Sequence, residues 1–281
     1  MTKLGLNIPN FGPTASPGEM RDWVRFAADH GFTLAMMSDH VAVTPDVAAL
    51  YPPPFYDPFT TLAWMAGYAP DGLELGTTVI ILPYRHPLLT ASMTAALHDF
   101  TDGRFVLGVA AGWAEDEFTA LGLDYAARGR MSEEYLAAIR AALRQETTSV
   151  SGEFVDYADV ATGPVRRTPI WVGGTAPAVL RRAVRLGDAW HPNNAPLDWL
   201  RDVGVPATEG VAFCPRMRAR VGPRSTPGTG TIDEVAADFR QLIEMGAEYV
   251  VLDTNPDDPS DRRPAADDRR DLAALAARLL R

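Results

Sequence analysis

Short apolar runs alternate along this chain with stretches whose apolar residues recur at helical spacing, and this alternation limits the fold more than any other feature. Eight runs predict strands, at residues 4–9, 33–38, 73–82, 105–109, 169–172, 188–191, 210–214 and 249–253. Helical patterns occupy residues 17–30, 59–68, 88–100, 115–121, 132–144, 176–186, 231–245 and 268–280.

This order predicts an α/β fold, namely a single (β/α)8 TIM barrel with insertion loops at its C-terminal face. A doubly wound sheet is the alternative that the pattern leaves open. Residues 150–157 predict an inserted hairpin or extended loop. No internal repeat or low-complexity linker indicates a second domain, so residues 1–281 are expected to form one domain.

The charge and the rare residues of the chain argue against several classes of function. A net charge of −10 argues against non-specific binding to nucleic acid and to an anionic membrane surface, which both attract basic proteins. Cys214 is the only cysteine, which excludes an internal disulfide and a cysteine-rich metal site. Lys3 is the only lysine, which excludes a P-loop lysine and argues against Schiff-base chemistry.

No pattern in the sequence indicates export, a membrane span or a metal. Residues 1–10 lack the apolar core of a signal peptide, and no apolar run reaches about 18 residues. We therefore expect a cytoplasmic protein. HExxH, CxxC and regular His/Asp ligand sets are absent too, so we expect no metal, and an organic cofactor would carry any difficult chemistry.

The stretch at residues 104–118, RFVLGVAAGWAEDEF, is typical of a cofactor pocket. An apolar strand breaks into small residues at its carboxyl end, and an acidic helix start follows. Small residues let a flat ligand approach the backbone, and a helix start favours anions. In a barrel, functional groups lie at the carboxyl ends of the strands, so the pocket is expected there.

Two further strand ends carry groups that can do chemistry. Asp39 and His40 end the second strand, where such a pair can polarise a carbonyl or move a proton near neutral pH. The alternative is an Asp that caps the loop beside a solvated His. Gly173, Gly174 and Thr175 precede a helix, where N–H groups and a hydroxyl can bind phosphate, although paired glycines also serve ordinary tight turns.

Other strand ends have less specific patterns. Trp190 and His191 end the sixth strand, and Trp190 fits core packing as well as it fits a substrate wall. Arg85 and His86 follow the third strand, and they fit a solvated loop better than an anion site.

Six motifs, taken in order, resemble the luciferase-like monooxygenase superfamily. They are SDHV at 38–41, LGTTVIILPYRHP at 75–87, DGRFVLGVAAGWAEDEFTALG at 102–122, RGRMSEEYL at 128–136, PIWVGGTAPAVLRRA at 169–183 and GDAWHP at 187–192. Within that superfamily, SDHV, the YP-rich loop after it and DPF are similar to the coenzyme F420-dependent oxidoreductase branch.

The resemblance implies a (β/α)8 barrel that holds a flavin or deazaflavin at the carboxyl ends of its strands. It implies a bulge with a non-prolyl cis peptide at Thr78-Val79, behind the ring. Since relatives are commonly dimers, it also implies a homodimer. The positions that match the family's cofactor-binding residues are Asp39, Thr78, Val79, Ala111, Gly112, Asp116, Gly173, Gly174 and Thr175.

The function that the resemblance implies is hydride transfer between C5 of coenzyme F420 and a small organic substrate. His40 would give or take the coupled proton, and Trp113, Trp190 and His191 would shape the substrate side. F420-dependent sugar-phosphate dehydrogenases carry a Glu at Trp113 and use lysines that Lys3 alone cannot supply, which argues against that substrate. An FMN-dependent two-component monooxygenase, and a barrel that binds its cofactor without turnover, stay open as alternatives.

Overall fold

A computed structural model describes residues 1–256 and 258–280, and most of its strands belong to one parallel sheet. The strands are β1 (Lys3–Asn7), β2 (Leu34–Met37), β3 (Glu74–Thr77), β4 (Ile80–Ile81), β5 (Phe105–Ala110), β6 (Thr147–Ser151), β7 (Asp156–Ala161), β8 (Ile170–Gly173), β9 (Ala189–His191), β10 (Ala212–Phe213), β11 (Arg216–Arg218), β12 (Arg220–Val221), β13 (Thr229–Gly230) and β14 (Tyr249–Asp253). Asp257 and Arg281 belong to the predicted domain but lie outside the described residues.

Helices follow most strands of the sheet. They are α1 (Pro17–Asp29), α2 (Pro45–Ala48), α3 (Pro58–Ala66), α4 (Pro87–Phe100), α5 (Glu115–Ala120), α6 (Arg128–Arg144), α7 (Pro177–Leu186), α8 (Leu197–Trp199), α9 (Val205–Ala207), α10 (Ile232–Glu244) and α11 (Ala265–Leu279). Short 3₁₀ turns occupy Leu82–Tyr84 and Pro259–Asp261, and a π-helical segment occupies Leu200–Gly204.

Polar side chains fix where several helices begin. The Ser16 hydroxyl accepts a hydrogen bond from the backbone N–H of Glu19 and caps α1. Thr231 and Glu234 form a reciprocal capping box at the start of α10. Such caps satisfy N–H groups that the first helical turn leaves without partners.

The strand order of the main sheet is β10-β9-β8-β5-β3-β2-β1-β14-β11, and β4 pairs with β5 beyond the end of β3. Every pair in this sheet is parallel; for example, Lys3 of β1 pairs with Tyr249 of β14. The first and last of these strands along the chain are therefore neighbours. The order lacks the reversal that defines a doubly wound sheet, so that alternative is wrong.

Residues 212–218 contain both ends of this strand order, β10 and β11. On one side, the Cys214 N–H donates to the carbonyl of Trp190 in β9 (2.9 Å). On the other side, the Val251 N–H of β14 donates to the carbonyl of Pro215 (2.8 Å). The sheet is therefore curled, because one short segment of the chain forms both of its ends.

The sheet buries apolar side chains on both of its faces. One large core cluster joins alternate strand residues to the helices, with Trp23, Val24 and Phe239 among its members. A separate buried cluster contains no helical residue. Its members, which lie in strands except for Cys214, are Leu34, Met36, Val106, Trp171, Ala189, Cys214, Tyr249 and Val251. This second cluster fills the concave side of the curl, as the interior layers of a barrel do.

Three details differ from the sequence-based expectations, and two expectations are confirmed. The predicted third strand is broken into β3 and β4 at Thr78-Val79. The peptide bond at this break is cis, which confirms what the resemblance implied. Helix α6 begins at Arg128 rather than at Ser132, which is buried inside the helix and does not cap it. The seventh strand is displaced, since β10 and β11 lie at 212–218. Strands β6 and β7 form the expected antiparallel hairpin.

Within residues 1–256 and 258–280, no helix is both long enough and apolar enough to cross a membrane.

Candidate active site

A cavity of about 540 Å³ opens where β2, β3, β5, β8 and β9 end. Its volume lies within the range of about 300 to 1,000 Å³ that small-molecule and cofactor sites occupy. The predicted site residues that line it are Asp39, His40, Thr78, Val79, Ala111, Gly112, Trp113, Gly173, Gly174, Thr175 and His191. Residues that the sequence did not single out line it too, among them Tyr51, Ile81, Arg128, Val179, Asn193 and Arg216.

His40 is held against the cavity wall by a buried carboxylate. Its Nδ1 lies 2.6 Å from Oε2 of Glu117, a residue of α5 that is fully buried. A carboxylate oxygen in this contact accepts, so Nδ1 carries the proton and the Nε2 atom is left for the cavity. Nε2 makes no hydrogen bond to another residue in the described part of the chain. The pair therefore fixes one tautomer of His40. Its Nε2 atom, which can exchange a proton, lies on the side of the ring away from α5.

The Glu117 carboxylate has a full set of donors. The backbone N–H groups of Val41 and Ala42 donate to Oε1 (2.6 and 2.9 Å), and the Tyr84 hydroxyl donates to Oε2 (2.8 Å). Burial raises the pKa of this carboxyl, but the hydrogen bond and charge of His40 and the loop N–H groups outweigh burial and hold the pKa below its usual value. Glu117 is thus an anion at neutral pH, and it ties α5 to the loop after β2.

Asp39 is neutralised within the wall. Arg85 makes a two-pronged ion pair with it, from Nη1 to Oδ2 (2.6 Å) and from Nη2 to Oδ1 (2.9 Å), and the Ile81 N–H also donates to Oδ2 (3.0 Å). Nη2 of Arg85 also donates to Asp57 (2.8 Å). The interpretation of Arg85 as a solvated loop residue is therefore wrong. Asp39 orients the loops beside the cavity, and both of its oxygens are already engaged.

His191 is a neutral, buried member of the cavity floor. Its Nδ1 lies 2.5 Å from the carbonyl oxygen of Cys214, which can only accept, so Nδ1 carries the proton. The Thr78 hydroxyl then donates to Nε2 (2.8 Å). The pKa of His191 is lowered to about 4, mainly by burial and in addition by the charge of Arg216, against the opposing effect of the Cys214 carbonyl. His191 is therefore uncharged at neutral pH.

Arg216 completes this floor as half of a buried ion pair. Its Nε and Nη2 atoms both donate to Oδ2 of Asp253 (2.9 and 2.6 Å), and Nη1 donates to the carbonyl oxygen of Thr78 (2.6 Å). Asp253 also accepts from Asn7 at its other oxygen (3.0 Å). The pair links β14 to the cis-peptide bulge, and its charges balance each other.

Aromatic rings surround His40. The rings of Tyr51, Phe55 and Trp113 lie with their centroids 5.3, 5.3 and 5.7 Å from that of the imidazole. Phe11 stacks on Phe55 behind them (5.1 Å). We call Tyr51, Phe55 and Trp113 the aromatic wall; it shields one side of His40 from water.

The opposite part of the cavity is suited to an anion. Gly174 takes a positive φ of +122°, and α7 then begins without a side-chain N-cap, so its N-terminal dipole faces this turn. Arg128 also lines the cavity, stacked on the Tyr125 ring (3.8 Å). In the described part of the chain, Arg128 has no carboxylate partner. A helix start and a cation without a counter-charge are the features that bind phosphate or carboxylate groups.

Two predicted site residues do not line the cavity. Asp116 is exposed on α5 and faces away from the cavity, because the next residue, Glu117, occupies the inward face. Trp190 is fully buried: its Nε1–H donates to the Gly174 carbonyl (2.8 Å), and its ring stacks on Phe213 (5.5 Å). Of the two interpretations of Trp190, core packing is the one that fits.

Three charged residues at the site have roles that were not predicted from the sequence, and only one of them carries a local signal. Glu117 follows Ala114 by three residues and precedes Phe118 and Leu121, so it lies on the apolar face of α5, where a carboxylate needs partners. Arg128 and Arg216 look like ordinary basic residues in the sequence. Their placement depends on which distant segments they meet, and no local pattern encodes that.

Among the described residues, no group of His, Cys, Asp and Glu side chains is arranged to hold a metal ion.

Comparison with a family model gives a match over nearly all of the chain. The model described as luciferase-like monooxygenase matches residues 3–277. A phthiodiolone/phenolphthiodiolone dimycocerosates ketoreductase of Mycobacterium tuberculosis is 32% identical over 143 residues, which cover 49% of this chain and 37% of that protein. The match thus spans well under half of that relative's length.

Solved structures share the fold at low sequence identity. An F420-dependent secondary alcohol dehydrogenase in complex with an F420–acetone adduct superposes with a TM-score of 0.79 at 14% identity, covering 99% of each chain. The oxygenating constituent of 3,6-diketocamphane monooxygenase from Pseudomonas putida, in complex with FMN, gives 0.71 at 16% identity, covering 99% of this chain and 98% of that one. At such identities the likeness concerns the fold alone.

Proposed function

Because the chain belongs to the luciferase-like monooxygenase family, we propose that it is a coenzyme F420-dependent oxidoreductase that transfers hydride between C5 of the deazaflavin and a small organic substrate. The observation that carries this proposal is the His40–Glu117 pair at the wall of the cavity, because carbonyl reduction needs a positioned proton donor beside the hydride.

We also propose that the curled sheet closes as an eight-stranded (β/α)8 barrel over residues 1–281. In this arrangement β3 with β4, and β10 with β11, each count as one strand. The hydrogen bonds of Cys214 and Pro215 to the two ends of the sheet support closure at that point. Closure would place the cavity at the carboxyl end of the barrel, where enzymes of this architecture have their active sites.

The residues of the cavity fit a tricyclic cofactor with an anionic tail. Val79 and Ile81, at the bulge, offer an apolar surface for one face of a flat ring, and Ala111 leaves room beside it. Arg128 and the Gly174 turn at the start of α7 would hold the tail's phosphate. When bound, F420 supplies or accepts a hydride at C5 of its ring.

His40 would handle the proton that accompanies the hydride. Reduction of a ketone adds a hydride to the carbonyl carbon and a proton to its oxygen, which gives a secondary alcohol. Protonated His40 gives that proton from Nε2 while Glu117 keeps Nδ1–H in place. In the oxidative direction, neutral His40 takes the hydroxyl proton at the same atom. The Glu117 anion stabilises the imidazolium in both directions.

The names of two relatives support this type of reaction. One structural neighbour holds an F420–acetone adduct, and the mycobacterial relative is named a ketoreductase. An FMN-dependent two-component monooxygenase is the second candidate, since another neighbour of the same fold holds FMN and the anion-binding end of the cavity would accept the FMN phosphate equally well.

Equilibrium binding separates the two candidates. Titration of the protein with F420 and with FMN, followed by the fluorescence of each cofactor, is expected to give an affinity for F420 at least about tenfold higher. Arg128→Ala should weaken F420 binding by about tenfold or more, because a phosphate loses its cation. Arg130→Ala is the matched control, since Arg130 lies exposed on the same helix and pairs with Glu153. Tight FMN binding without affinity for F420 would overturn the proposal.

We also propose that the partner of this protein is a small molecule and that two copies of the chain form a homodimer. Light scattering on the purified protein would measure the oligomeric state.

A further inference from the structure

We infer that the substrate of this site is an uncharged, apolar carbonyl compound or secondary alcohol that binds against Tyr51 and Trp113, the two rings of the aromatic wall that line the cavity. The inference rests on the proposed function and deepens it by naming the substrate class.

The electrostatics of the wall argue against a charged substrate. Both oxygens of Asp39 are engaged by Arg85, and Arg216 is paired with Asp253. The His40–Glu117 pair has a net charge of zero when His40 is protonated, which is the state that reduction of a carbonyl needs, so neither an anion nor a cation finds a net counter-charge there. A charged substrate would lose its hydration here without gaining a partner, which is unfavourable.

The one wall cation without a carboxylate partner in the described residues is Arg128, and it stands beside α7. Nη2 of Arg182 in α7 donates to the carbonyl of Gly129, which places the start of α6 against α7 (2.9 Å). The anionic tail of the cofactor would neutralise Arg128 there. The cavity is therefore divided into an anion-binding part and a part next to His40 in which, with His40 protonated, every charged side chain of the wall has a partner of opposite charge.

The surface next to His40 is apolar and continues to the solvent. Trp113 is 42% exposed, and Val41 and Leu50, the chain neighbours of His40 and Tyr51, are 48% and 38% exposed. Trp113 and Tyr51 both line the cavity, so the apolar surface beside His40 reaches the solvent through the exposed Trp113 ring. Burial of an apolar or aryl body against such rings is favourable, and it leaves the carbonyl or hydroxyl oxygen for Nε2 of His40.

The reaction on such a substrate balances without a further reactant. The carbonyl carbon gains the hydride, its oxygen gains the proton from His40, and the cofactor is oxidised by two electrons. Substrate and product are both neutral, so neither has to bury a charge in the wall.

A matched ligand series tests the inference by direct binding. Isothermal calorimetry on the whole protein would compare 4′-methylacetophenone, 4-acetylbenzoate and the 4-acetyl-N,N,N-trimethylanilinium cation, which differ mainly in charge. The neutral ketone is expected to bind at least about tenfold more tightly than either ion. Trp113→Ala should weaken its binding by about tenfold, whereas Phe100→Ala, which removes an exposed ring at the end of α4, should not change it.

Any one of three results overturns the inference. They are equal or tighter binding of either ion, unchanged ketone binding by the Trp113 variant, and no binding of the ketone. F420 binding, measured separately by its fluorescence, reports on the proposed function. A protein that binds the neutral ketone but not F420 would therefore refute the cofactor assignment and leave the substrate class standing.

Discussion

Glu117 decides which nitrogen of His40 can exchange a proton, although it touches neither substrate nor cofactor in this arrangement. Its carboxylate accepts from Nδ1, so the catalytic tautomer is fixed by a residue behind the cavity wall. Such a positioning residue acts through orientation and charge, and a neutral substitute that can also donate a hydrogen bond would stabilise the opposite tautomer.

We therefore predict that Glu117→Gln lowers kcat by about 10²- to 10⁴-fold with a much smaller change in KM. In the reductive direction, where His40 must be protonated, the alkaline limb of the pH profile should also move to lower pH, because the imidazolium loses its counter-charge. Steady-state kinetics over a pH series measures both effects. Asp116→Asn, on the exposed side of the same helix, is the matched control and should leave both parameters unchanged; a parallel loss in both variants would indicate a merely structural effect.

Sequence reasoning at this scale found the residues that stand at strand ends. Asp39, His40 and Gly174 follow directly from strand boundaries, because parallel strands end at one edge. It did not separate Asp116 from Glu117, because three successive carboxylates look alike until the inward face of a six-residue helix is known. It missed Arg128 and Arg216 because their partners lie far away in the chain.

At the scale of the elements, close contact between β3 and β5 shapes the bulge that lies behind the cavity. Gly108 in β5 lies so close to β3 that a Cβ atom would stand 2.0 Å from the Thr77 carbonyl oxygen. The Thr77 hydroxyl and the Gly108 backbone also exchange two hydrogen bonds, at 2.8 and 2.9 Å. The third strand can approach and bend there only because the facing residue has no side chain.

Gly108→Ala is accordingly expected to lower the free energy of unfolding by about 2 kcal/mol or more, because the two strands must separate. Urea denaturation measures the change. Gly129→Ala serves as the control, since nothing lies within 4 Å of a Cβ atom at that position in α6 and alanine favours a helix. Equal stability of the Gly108 variant and the native protein would show that the contact is looser than described.

Element positions could be predicted wherever composition and periodicity agreed. The strand at 249–253 is observed with the predicted bounds, because its apolar run is short and clearly delimited. The start of α6 was predicted too late, because Ser132 has the chemistry of an N-cap but lies one turn inside the helix. The π-helical segment and short turns at 197–207 have no periodicity to reveal them.

For the whole molecule, burial of an uncharged histidine makes stability depend on pH. The pKa of His191 is about 4 in the folded state and about 6.5 in an unfolded chain. Between these pH values the unfolded chain binds a proton at His191 and the folded protein does not. His191 therefore leaves the free energy of unfolding unchanged above pH 6.5 and lowers it as the pH falls toward 4. The expected loss from this residue is about 1.4 kcal/mol per pH unit within that window.

Urea unfolding at pH values between 7.5 and 4.5 would measure this slope, and His191→Asn should make it shallower because asparagine does not titrate. His86→Asn, at an exposed position, should leave the slope as it is. Identical slopes in all three proteins would mean that His191 is protonated in the folded state.

The architecture of the whole chain was only partly accessible from sequence. Alternating strands and helices predicted an α/β fold, but the same alternation also fits a doubly wound sheet. What separates the two is the pairing of Lys3 with Tyr249 and the double contact of residues 212–218. Neither leaves a local mark, because each depends on segments that meet only after most of the chain has folded.

The pairing of β1 with β14 also has a consequence for the synthesis of the chain. A ribosome adds about 5 to 20 residues per second, so β14, the second neighbour of β1, is made about 12 to 50 s after β1. During that time one edge of β1, with the apolar residues Leu4 and Leu6, has no strand beside it. Because β2 pairs with the other edge of β1, this edge stays open to contacts with other chains until β14 has been made.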